Sequence, residues 1–108
     1  MVHSTTVESS VQPAGSILVE MSSYAFKPAD IPVGAGKAVF YLVNTSVEAH
    51  AITLRDPAVS VVAVVAASAN VEAGRSAVFT IDNLPKAVYR VTCPIAGHAD
   101  MKATVTAR

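Results

Sequence analysis

The chain has 108 residues, enough for one domain with a core of its own and no covalent staples. Its 8 Lys and Arg balance 8 Asp and Glu, which argues against nucleic acid as the main partner, because phosphate binding calls for a basic stripe. A single cysteine rules out an intrachain disulfide and a zinc ribbon, and no apolar run approaches the roughly 20 residues of a spanning helix.

Residues 1–15 are polar and poorly patterned and lack the apolar stretch of a secretory signal. They are expected to be a frayed tail ahead of a domain at residues 16–108. From Ser16 the pattern changes. Ile17, Val19 and Met21 alternate with Leu18, Glu20 and Ser22, and Tyr24 and Phe26 sit on one alternation before Pro28. Pro28 and Pro32 suit edges or turns. Gly34-Ala35-Gly36 turns the chain. Lys37 to Asn44 is apolar on both faces and is expected to lie centrally in a sheet.

After a loop over Asn44 to Glu48, His50, Ile52 and Leu54 share a face. This puts His50 at the core end of a strand. Ala58 to Ala69 is almost entirely Val and Ala. It reads as a buried strand or compact crossover, with a docking or dimer face as the alternative. Ala77, Phe79 and Ile81 alternate inward, then Tyr89, Val91 and Cys93, then Met101, Ala103, Val105 and Ala107. Seven or eight short strands with turns at this spacing, and no amphipathic helix, predict an all-β Greek-key sandwich.

The chemistry concentrates in Thr92 to Met101. Cys93, His98 and Met101 offer thiolate, imidazole and thioether within nine positions. Such donors favour copper over magnesium, calcium or manganese. His50 completes a His₂Cys set with a weak axial Met. Cys93 ends one strand and Met101 begins the next, both on the inward phase, with His98 on the loop between. Gly97 lets that loop turn, and Pro94 stiffens it.

The spacing Cys93-x4-His98-x2-Met101, with a lone His50 roughly forty residues upstream, resembles the cupredoxins, the small blue copper proteins. Tyr24 to Asn44 is similar to the first half of that fold, and the resemblance spans Ile17 to Ala107. It implies a mononuclear type 1 copper ion held by His50, Cys93, His98 and Met101. It also implies one-electron carriage between redox partners rather than an enzymatic reaction. Partners would dock where His98 reaches the surface through an apolar ring, to which Pro94, Ile95, Ala96 and Ala99 would contribute. The resemblance further implies a monomer in the periplasm or outside the cell. Many cupredoxins carry Asn directly after the upstream histidine, tying the two ligand loops together. Here Ala51 stands there, so the tie is expected from Asn44, Thr45 or Thr92. The short His-to-Met gap also occurs in amicyanin-like and binuclear copper loops. The binuclear type needs a second cysteine, and this chain has 1.

Plainer readings stand beside these. Cys93 can be an inert buried thiol, His50 a core histidine and Met101 core filler. Cys93 and His98 can also form a nucleophile–base pair, although no protease or transferase signature surrounds them. His3, third from a free amine, can bind Cu(II) adventitiously in a square plane. Asn44-Thr45-Ser46 matches a glycosylation sequon. A different function on the same donors is a copper carrier or sensor that moves no electrons. A third is a metal-free interaction module.

Overall fold

The computed structural model describes residues 2–59, 63–98 and 100–108. Among these, the alternating stretches lay down ten strands: β1 (Ser4–Glu8), β2 (Ile17–Ser22), β3 (Ala25–Lys27), β4 (Asp30–Val33), β5 (Gly36–Asn44), β6 (Thr53–Arg55), β7 (Val64–Ala67), β8 (Ser76–Leu84), β9 (Ala87–Thr92) and β10 (Lys102–Ala107). One sheet has the order β1-β8-β5-β2-β3, the other β4-β10-β9-β6-β7. The two sheets form the expected sandwich. β5, apolar on both faces, takes the middle of its sheet, antiparallel to β8 and parallel to β2.

The inward phases meet in one buried cluster. Val19, Met21, Phe40, Leu42, Phe79 and Ile81 come from the first sheet, and Leu54, Tyr89, Val91 and Val105 from the second. Phe40 and Phe79 lie opposite each other in register and stack at 6.0 Å between ring centroids. Each fully buried side chain of this size removes enough apolar surface to contribute roughly 1.5–3 kcal/mol.

Three expectations change. Residues Ser4–Glu8, read as part of a frayed tail, form β1 and pair with β8 from Ser4↔Ile81 to Glu8↔Ala77. Their sequence buries almost no side chain, so no hydrophobic alternation announces the strand; backbone pairing along the sheet edge holds it. The apolar run at 58–69 becomes edge strand β7, of which only Ala66 is fully buried, preceded by an exposed Val59. Ser60, Val61 and Val62 of that run lie outside the described residues. Tyr24 does not share a strand alternation with Phe26: it lies in the tight turn between β2 and β3 and is half exposed, while Phe26 is in the core opposite Met21. Pro32 fits its place in β4, an edge strand paired on one side with β10.

Tyr89 anchors the second sheet at the turn before β9. Its ring is buried and its hydroxyl donates to the carbonyl of Pro85. Burial, then the charge of Asp56, pushes the phenol above its ordinary value. A raised folded value means that the native state holds its proton longer than the unfolded chain does. This contribution is therefore complete below pH about 10 and is lost as pH rises through the folded value. Tyr89→Phe should cost about 1–2 kcal/mol at neutral pH, since the Pro85 carbonyl loses its donor. The gap between the two urea midpoints should narrow above pH 10. A gap unchanged from pH 7 to 11 would refute this role.

Candidate metal centre

Three donor atoms converge where β9 ends. His50, Cys93 and His98 are all buried, and their ligand atoms lie within 4.8 Å of one another. His98 Nδ1 is 3.5 Å from Cys93 Sγ, and His50 Nδ1 is 3.9 Å from it. The two imidazole rings are 4.6 Å apart between centroids.

Each donor has a local cause. His50 forms an isolated bridge with Val71, its N–H donating to the Val71 carbonyl at 3.1 Å and its own carbonyl accepting at 2.8 Å. This pair of hydrogen bonds fixes its backbone just before β6. Cys93 follows β9 on the inward phase of Tyr89 and Val91. The chain then turns tightly: His98 N–H donates to the Ile95 carbonyl at 3.1 Å, with Gly97 at φ +85°. A positive φ at the third position of a turn is the type II pattern and calls for glycine. Next, Met101 N–H donates to the His98 carbonyl at 3.0 Å. Met101 is completely buried, in phase with Ala103 and Val105 of β10. Ala99 lies outside the described residues.

Asn44, one of three residues expected to brace the loops, is buried and uses its whole amide. Its Nδ2 donates to the carbonyls of Glu48 and Val71, and its Oδ1 accepts from the Ser46 N–H and hydroxyl. This secures the segment carrying His50. The tie to the other ligand segment comes from a residue the sequence reading did not single out. His98 Nε2 bonds Glu48 Oε2 at 2.9 Å, and the Tyr24 hydroxyl donates to Glu48 Oε1 at 2.9 Å. The Tyr24 ring lies 4.9 Å from the His98 ring. As a result His98 is only 2% exposed. The expected apolar ring is present in part, with Pro94 and Ala96 exposed, yet it does not bare the imidazole. An acid two positions before a candidate ligand was the one available signal; its partner fifty residues away was not readable.

The electrostatics follow from these contacts. Hydrogen bonds from His98 and then Tyr24 hold the Glu48 carboxyl below its usual range. The bond to Glu48 raises the Tyr24 phenol. Burial, then the neighbouring His98, lowers His50, so a neutral imidazole is favoured there. Among the described residues, His50 Nε2 is buried without a hydrogen-bond partner.

These donors fit a soft or borderline metal. With metal–sulfur about 2.3 Å and metal–nitrogen about 2.0–2.1 Å, a trigonal angle puts sulfur and nitrogen roughly 3.8 Å apart. The observed 3.5 and 3.9 Å bracket that value. Neither imidazole need move far, and a thiolate with two imidazoles is a copper-favouring set. The alternative nucleophile–base pair has the needed contact, but Cys93 is closed off from solvent. His3 is far more exposed and lies 3.5 Å from Asp82; the amine-and-imidazole site it would form requires Met1, outside the described residues.

Comparison with known proteins agrees with this geometry. A family profile described as "Cupredoxin-like domain" matches residues 2–107. No curated protein sequence matches. Among solved structures, the chain is similar to auracyanin A, a "blue" copper protein from the green thermophilic photosynthetic bacterium Chloroflexus aurantiacus, at TM-score 0.70 and 17% identity, covering 87% of this chain and 100% of that one. It is similar to auracyanin B at 0.73 and 19%, covering 97% of each chain. Amicyanin from Paracoccus versutus gives 0.68 and 15%, covering 96% of this chain and 92% of that one. At such identities the likeness speaks to the fold.

Proposed function

The chain belongs to the cupredoxin-like domain family, and on that premise we propose that it is a mononuclear type 1 copper protein carrying single electrons between redox partners. His50, Cys93, His98 and Met101 would hold the ion. The observation that carries this reading is the pair of Nδ1–Sγ distances, 3.5 and 3.9 Å, among three buried side chains. Bound copper supplies a Cu(II)/Cu(I) couple.

The rest is done by the chain. The paired hydrogen bonds between His50 and Val71 and the Ile95–His98 turn fix the backbone that carries the donors, and would hold them in place whichever oxidation state a bound copper had. Little rearrangement then opposes electron transfer. Burial of the four side chains keeps water from them, and no substrate bond is made or broken. Partners dock near His98 on a small face that includes exposed Pro94, Ala96 and Tyr24. A contact of that size suits quick release. A monomer outside the cytoplasm is the setting this family resemblance supports. No helix among the described residues is long and apolar enough to cross a membrane.

Visible and paramagnetic spectra of the Cu(II)-loaded protein test the proposal. An intense band toward the red with narrow copper hyperfine splitting is expected. Weak tetragonal spectra would point to a carrier or sensor, and no stoichiometric uptake to a metal-free module. Met101→Leu should keep the colour and raise the reduction potential by on the order of tens of millivolts, because a weak donor to Cu(II) is lost. An unchanged potential would remove Met101 from the ligand set.

A further inference from the structure

The two imidazoles have unlike surroundings. Behind His50, Nε2 has no partner among the described residues. Behind His98, Nε2 meets a carboxylate at 2.9 Å, and that carboxylate is itself steadied by the Tyr24 hydroxyl at 2.9 Å. We infer that Glu48 is a positioning residue for His98: it selects the ring's tautomer and makes its Nδ1 the stronger imidazole donor of the pair.

The argument is one of hydrogen-bond capacity. An ionised carboxylate only accepts, so the shared proton belongs to Nε2 of His98. In a neutral ring Nδ1 is then bare, and Nδ1 is the atom 3.5 Å from Cys93 Sγ. The same bond passes electron density into the ring and raises its basicity toward a metal. A better donor favours Cu(II) over Cu(I), so Glu48 lowers the reduction potential. Tyr24 contributes by keeping Oε2 aimed at the ring, with its own ring 4.9 Å from that of His98. Glu48 also links the segment of His50 to the loop of His98, where Ala51 offers no side-chain amide to do so.

This inference rests on the copper reading for its redox consequence but not for its tautomer. The test therefore has two arms. In copper-free protein at pH 8, nitrogen-15 shifts of the His98 ring should show a protonated Nε2 and bare Nδ1. Glu48→Ala should shift the ring toward a mixture of tautomers. In copper-loaded protein, Glu48→Gln should favour Cu(I) by about tenfold, or ~59 mV for one electron. Asp100→Asn removes an exposed charge two residues from His98 and should move the potential far less. Tyr24→Phe should give a change of the same sign as Glu48→Gln but smaller. Equal shifts for Glu48→Gln and Asp100→Asn would reduce Glu48 to a general charge and overturn the inference. A His98 tautomer indifferent to Glu48→Ala would overturn it as well. If the wild type takes up no copper, the functional reading fails while the nitrogen-15 arm still decides the role of Glu48.

Discussion

Cys93→Ala should abolish the intense visible band of the copper-loaded protein and leave the sandwich folded. The band depends on a copper–thiolate bond, and the chain has 1 cysteine to form it. No second sulfur can restore the same bond, since Met101 offers only a thioether. Copper affinity should fall by more than the roughly 10–100-fold that loss of an outer hydrogen-bond partner costs. The fold should survive because the deletion removes a single sulfur atom at the margin of the core. Trimming a buried residue by one heavy atom typically costs about 0.5–1.5 kcal/mol, and β9 and β10 stay paired from Lys102↔Thr92 to Ala107↔Ala87. Absorption spectra at one equivalent of copper, with circular dichroism on the same samples, check both halves. A retained band would refute the ligand set.

Much of this was legible in the chain, and the boundary has a physical reason. Period-two alternation exposed β5, β8, β9 and β10, because each buries one face or both. The donors were legible because Cys93, His98 and Met101 are close in sequence and chemically distinctive. β1 was not, because Ser4–Glu8 gives the core almost nothing and is held by main-chain bonds that any sequence can make. Glu48 and Tyr24 were hidden for a similar reason. Each looks like an ordinary polar or aromatic residue near a turn. Their roles arise only when the turn after β2, the loop after β5 and the loop after β9 meet at one end of the sandwich. Family resemblance pointed to a loop histidine reaching the surface; here the Glu48 carboxylate covers it.

Copper should raise the thermal midpoint by roughly 10–20 °C, and a chelator should reverse the gain. A ligand that binds only the folded state stabilises it by about 4 kcal/mol at a thousandfold excess over its dissociation constant. A domain near this size gains several degrees per kcal/mol. The full value is not expected. Cys93 and His98 are 5 residues apart, so the unfolded chain keeps them close and retains some affinity for Cu(I). What folding adds is His50, 43 residues from Cys93, brought to 3.9 Å from its sulfur. Metal binding in the native state therefore closes a long loop that the unfolded chain must close against its own entropy. Melting curves with and without one equivalent of Cu(I), under reducing conditions that protect the thiol, measure the difference. Coincident curves would mean that folding contributes nothing to the site, and that the convergence of His50 with Cys93 and His98 binds no copper.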